Sequence, residues 1–250
     1  MIFLLDVIWK PLCVIRITAL APLGLLVKLR KLKIPNYLAQ WRILMTNKLG
    51  STPSTLLAIA GGQFDTLDWS NCAVVFIDYQ NEYVDGAMPL GQAGANAIAN
   101  ARLLLDKARK QNVPIFHIAH HGADNGNVFD PLSSNVEIIA ELQPKDGETV
   151  IVKKNPNAFH DTQLQALISA AQKQQIIFAG FMSHMCVSSS VRAAFDLGFD
   201  SFVCHDACAT RDLPDYKKEK ISADIMHATA MAALQDRFAA LVATDELVDS

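Results

Sequence analysis

From Asn71 onward, short apolar runs alternate with helix-length amphipathic segments, and nothing else in this chain restricts its fold so strongly. Residues 72–77, 113–118, 149–152, 175–179, 201–204 and 239–243 read as strands. Helices are expected over 91–111, 136–142, 162–174 and 217–237, and in the segment that follows Cys186 up to Gly198. A polar loop occupies 120–131, with Gly122, Gly126 and Asp130-Pro131 as its turn signals. Near-continuous apolar strands joined by helices indicate a parallel sheet covered on both faces, with right-handed crossovers. Six strands are too few for an eight-fold barrel. The expected fold class is therefore α/β, a three-layer α/β/α sandwich with a six-stranded, mainly parallel sheet. In such a sheet the ligand site lies beyond the C-terminal strand ends, near a topological switch point.

That rule selects residues. Asp78 ends the first strand; His117, His120 and His121 lie at or just past the end of the second; Lys153 and Lys154 end the third. Cys186 follows the fourth strand, at the turn into a helix. A thiol at a helix N-terminus meets unpaired N–H groups and the positive end of the helix dipole, so a lowered pKa is expected there. Taken singly, each residue has an ordinary alternative: an inert buried thiol, a carboxylate serving a turn, a solvated lysine pair. Together they supply a nucleophile, a base and a cation, the requirements of cysteine-based acyl transfer.

Composition narrows the rest. The chain has 250 residues and a formal net charge of -3, with no basic stripe, so no nucleic-acid partner is expected. Its five cysteines fit neither a disulfide framework nor a zinc site, which suits reduced thiols in the cytoplasm. Residues 1–44 are apolar but broken by Asp6, Lys10 and Arg16, and the longest uncharged run, 17–27, is too short to span a bilayer. We expect residues 1–60 to be an extension (an upstream start, a leader or a weak membrane-surface segment) and 61–250 to be the functional domain.

Three segments carry a family resemblance. They are Phe76-Ile-Asp78-Tyr-Gln80-Asn-Glu-Tyr83, Lys153-Lys-Asn-Pro-Asn157-Ala-Phe159 and Ala179-Gly-Phe-Met-Ser183-His-Met-Cys186-Val. In this order and on these elements they resemble the signature segments of the isochorismatase-like cysteine hydrolases, relatives of nicotinamidase and N-carbamoylsarcosine amidase. The resemblance covers about residues 70–245. It implies a catalytic triad of Asp78, Lys153 and Cys186, with Lys153 favoured over Lys154 by its spacing to Asn157-Ala158-Phe159. It implies a cis peptide between Phe181 and Met182, and an oxyanion hole from the backbone N–H groups of Met182 and Cys186. Tyr83, Asn157 and Phe159 fall where the family presents groups to substrate, and His120 or His121 is expected to line the pocket or hydrogen-bond within it.

The chemistry so implied is hydrolysis of a C–N bond in a small amide through a thioester. Isochorismatases proper act on a vinyl ether without a thiol nucleophile, so Cys186 favours the amide. The rival readings are a hydrolase of a non-amide substrate and a non-catalytic scaffold that retains the fold. Nicotinamidases of the family bind a metal after the second strand. Here that region reads His117-Ile-Ala-His120-His121-Gly122-Ala-Asp124, and two adjacent imidazoles do not readily face one ion, so neither metal nor cofactor is expected. His117 is expected to be a satisfied core or interface histidine and Gln80 to brace the Asp78 loop through backbone hydrogen bonds; for Arg211 a structural ion pair with Asp206 or Asp212 is favoured over binding of a substrate carboxylate. A homo-oligomer, dimer or tetramer, completes the expectations.

Overall fold

The computed structural model describes residues 53–249, and the expectations for residues 1–44 lie outside them. The compact unit begins at Ser54. Its first helix, α1 (Leu56–Ile59), is capped by Thr55, and the Leu57 amide donates to the Asp236 carbonyl at 3.0 Å. That bond ties a short segment counted with the extension in the sequence to the body of the domain.

Six strands form one parallel sheet: β1 (Cys72–Ile77), β2 (Ile115–His120), β3 (Thr149–Lys153), β4 (Gln175–Phe181), β5 (Asp200–Ala209) and β8 (Ala240–Val242), in the order β3-β2-β1-β4-β5-β8. A small antiparallel hairpin, β6 (Leu213–Pro214) with β7 (Lys220–Ile221), stands apart from it. Helix α2 (Gly91–Gln111) crosses from β1 to β2 and buries Ala97, Ala101, Leu104, Leu105 and Ala108 on one face. It ends at Asn112, which takes the left-handed conformation (φ 54°) that stops a helix. Together with α6 (Thr244–Val248) it covers one side of the sheet. The other side is covered by α3 (Leu164–Ala170), α4 (Ser188–Asp196) and α5 (Ala223–Gln235), through Leu164, Ile168, Val191, Ala194, Met231 and Leu234. β1 is buried along its whole length because it is central and covered on both faces. Among the described residues no helix is long and apolar enough to cross a membrane.

Three expectations about elements need correction. The helix expected over 136–142 is instead two 3-10 turns, Ser134–Val136 and Ala140–Leu142. The reason is non-local: the Ile139 amide donates to the Tyr79 carbonyl and the Asn81 amide to the Glu137 carbonyl, so this backbone bridges to the loop after β1 rather than to itself. The helix expected from Lys217 starts only at Ala223, capped by Ser222; before it, Asp215 Oδ1 accepts from the Lys217 and Glu219 amides and closes the hairpin. β5 runs on to Ala209, through the polar pair His205-Asp206, because the Asp206 carboxylate is taken up by the amide and hydroxyl of Thr244.

The chain switches direction at the centre of the sheet. β1 pairs with β2 on one side and with β4 on the other, so the switch point lies where β1 and β4 end.

Candidate active site

Two backbone features shape that point. Asp78, the first residue past β1, has φ 54°, a left-handed conformation rare outside glycine but tolerated by Asp. Gly180, paired with Ile77, has φ 147°, and a Cβ built there would sit 2.2 Å from the Ile77 carbonyl oxygen. Only glycine lets β4 run this close to β1 here. The peptide between Phe181 and Met182 is cis. One π-helical turn, Ser183–Val187, then carries Cys186 into α4. The Met182 carbonyl accepts from the Met185 and Val187 amides, which closes the turn.

Three side chains meet inside this frame. Lys153 Nζ lies 2.8 Å from Asp78 Oδ2 and 3.3 Å from Cys186 Sγ. It is also 3.1 Å from His120 Nδ1, on the residue directly opposite it in the sheet register. Asp78 and Lys153 are fully shielded from solvent and Cys186 is 6% exposed. The buried Asp78 carboxylate is held chiefly by the Lys153 charge, with the Cys186 thiol as its other neighbour. Lys154 is exposed and has no part in the cluster.

The electrostatics correct one expectation. Burial, and then the Asp78 charge, push the Cys186 thiol up rather than down, with Lys153 opposing. Burial likewise pushes the Asp78 carboxyl above the usual carboxylate range, against the pull of Lys153. One ammonium faces two acids, and two uncompensated anions in a dry pocket are prohibitive. The pair therefore holds one proton between thiol and carboxylate. Such a site can move that proton from sulfur to oxygen without changing its net charge.

The other expected residues are placed as follows. Tyr83 is buried, edge-on to Phe181 and Phe129 at 5.4 and 5.5 Å, and near enough to Asp78 and Cys186 for their charges to act on its hydroxyl. Asn157 Oδ1 accepts from the Phe159 amide, so it shapes its own loop. Phe159 packs against Phe178 and Phe199. His121 lines a separate groove of about 320 Å³ with Ala119, Val136, Val150 and Val152. His117 stacks on Phe76 and contacts Glu148 Oε2 at 2.9 Å, a satisfied core position. Gln80 accepts from the His120 amide and donates to the His120 and Val136 carbonyls, bracing β2 against the loop. Arg211 is a correction: Asp206 is engaged by Thr244 and Asp212 by Lys220, so Arg211 donates to the Asp212 carbonyl instead. Among the described residues no three His, Cys, Asp or Glu side chains converge as a metal centre requires. His120 turns its Nδ1 to Lys153 while His121 lines another groove, so the two adjacent imidazoles serve different surroundings.

Sequence reasoning passed over two supports. Ser190 donates to the Cys186 carbonyl at 2.7 Å and accepts from the Ala158 amide at 2.9 Å, joining the cysteine turn to the loop after Lys153. Its position one helical turn after Cys186 was the available signal. Buried Glu82 accepts from the Ala87 and Phe129 amides and anchors the 120–131 loop. A glutamate in a polar stretch gave no hint of burial.

Comparison with known proteins agrees with this frame. The isochorismatase domain family matches residues 72–246. The secreted isochorismatase effector Isc1 of Verticillium dahliae is 32% identical over 78% of this chain and 99% of its own length. Nicotinamidase 3 of Arabidopsis thaliana is 30% identical over 70% of this chain and 86% of its own. The crystal structure of an isochorismatase from Pseudomonas putida KT2440 superposes with a TM-score of 0.74 at 37% identity, covering 78% of this chain and 99% of that one.

Proposed function

This chain belongs to the isochorismatase family and is a hydrolase, and we propose that it cleaves the C–N bond of a small amide-type substrate through a thioester on Cys186. The observation that carries this reading is the contact of one buried ammonium, Lys153 Nζ, with both Asp78 and the Cys186 sulfur at the sheet's switch point. Asp78 takes the thiol proton while Lys153 stabilises the sulfur charge. The S–C bond forms at the substrate carbonyl, and the oxyanion is received by the Met182 and Cys186 N–H groups. The C–N bond then breaks, and Asp78 returns the proton to the departing amine. Water, deprotonated by Asp78, attacks the thioester; the S–C bond breaks to release the acid, and Asp78 returns the proton it took from water to the sulfur, restoring the thiol. Tyr83, whose hydroxyl lies within reach of the Asp78 and Cys186 charges, is the proposed aromatic wall of the substrate site; Asn157, Phe159 and His121 are engaged elsewhere and are not assigned to it. The nicotinamidase relative and the thiol at Cys186 support an amide, while the relatives named isochorismatase keep a non-amide hydrolase as the rival reading.

The catalytic unit so proposed is the compact one that begins at Ser54, a few residues before the boundary expected from the sequence. The described cysteines are all free thiols, which supports a cytoplasmic setting. Val150 and Val152, about half exposed on the edge strand β3, support assembly into a homo-oligomer. A screen of small amides, ureas and lactams, beside a vinyl ether, with ammonia or amine release as readout tests the reaction class. Amine release from at least one member is expected; turnover of the vinyl ether alone would refute the amide reading.

A further inference from the structure

We propose that His120 is a positioning residue for Lys153, held in its Nε2–H tautomer so that Nδ1 receives the third proton of the ammonium. The proposal rests on the Asp78–Lys153–Cys186 reading above. A lysine ammonium has three N–H donors and no acceptor. Two of the three directions lead to Asp78 and Cys186, and the third leads to His120 Nδ1 at 3.1 Å. Because the ammonium has no lone pair, Nδ1 must be the acceptor and cannot carry a proton. A neutral ring then bears its proton on Nε2, which has no hydrogen-bond partner among the described residues. The ring is neutral because burial, and then the Lys153 and His121 charges, push its pKa down to about 4.

The imidazole is also firmly mounted. Gln80 accepts from the His120 amide at 2.8 Å and donates to its carbonyl at 2.9 Å. Phe129 meets the ring edge-on at 4.9 Å, and its own amide is fixed by Glu82. Parallel register sets His120 opposite Lys153, so the lysine must pass this ring on its way from an edge strand to Asp78 at the centre. Without Nδ1 one ammonium proton would point at nothing in a dry site. Lys153 would then tilt or lose charge, and its hold on the sulfur would weaken.

Two measurements decide. The 15N chemical shifts of His120 should show a neutral Nε2–H ring between roughly pH 6 and 8; an Nδ1–H ring or a cation in that range overturns the proposal. The rate at which iodoacetamide alkylates Cys186, followed by peptide mass mapping across pH, gives the second readout. His120→Leu should slow alkylation about ten-fold near neutral pH and move its profile to higher pH. His120→Gln, whose amide oxygen can accept from Lys153, should restore most of the rate. A His120→Leu profile that coincides with the wild type refutes the role, and if that variant does not fold, the tautomer alone decides. Hydrolysis retained by Cys186→Ala would instead remove the triad reading itself, whatever His120 does.

Discussion

At the scale of single residues, the site is a problem of unequal charge: one cation, two acids and almost no water. Lys153 is what makes Asp78 tolerable in the interior, since it is the one cation against the carboxylate and outweighs the Cys186 thiol in stabilising it. Breaking a buried pair from one side costs about 3–5 kcal/mol, because the remaining charge is left uncompensated. Lys153→Met should therefore lower stability by that order, and adding Asp78→Asn to the same chain should recover most of it. A double-mutant cycle in urea measures the coupling; strictly additive losses would mean that the two groups do not depend on each other. The identities of these residues were legible in the sequence, because the strand-end rule and three short motifs both point to them. Their charge state was not. The thiol's position near a helix start suggested a lowered pKa, whereas its burial and the carboxylate beside it push it up. Burial of one side chain is a property of everything packed around it, and no local segment encodes that.

At the scale of elements, the site depends on how closely two strands approach. Gly180 has no room for a Cβ beside the Ile77 carbonyl, and its φ of 147° is open only to glycine. Gly180→Ala should cost about 3 kcal/mol through overpacking and backbone strain, and activity should fall further as β4 and the Cys186 turn are pushed from Asp78. Thermal unfolding together with steady-state rates checks this; a variant with wild-type stability would show that β4 can yield. The strands and the long helix α2 were readable because their patterns are local and strong. The elements misread from sequence, 136–142 and the stretch before Ala223, are those whose backbone partners are distant or whose turn is closed by one side chain. Ile139 bonds to Tyr79, and Asp215 caps its own hairpin. Periodicity records neither.

At the scale of the whole molecule, the parallel sheet gathers residues from β1, β2, β3 and the turn after β4 into one rim, and a separate ionic cluster secures the opposite end of the β2–β3 pair. There Glu148 bonds Arg109, the Lys145 amide and His117. Burial pushes its carboxyl up, but Arg109 and the other donors outweigh it and hold the pKa at about 2, against an ordinary 4.5. A carboxylate whose folded pKa is depressed contributes stability above its unfolded value and loses it as pH falls toward the folded one. Its contribution is thus full above about pH 4.5 and fades toward 2. Glu148→Gln should lower the urea midpoint at neutral pH and flatten its decline over that range; an unchanged pH dependence would place the acid sensitivity elsewhere. The central claim, covalent catalysis by Cys186, is tested most directly by the hydrolytic rate of purified Cys186→Ala against a substrate the wild-type chain turns over. The account predicts a folded protein, with the wild-type circular dichroism spectrum, whose hydrolysis is reduced at least about 10⁴-fold. Hydrolysis at a rate near that of the wild type would contradict it.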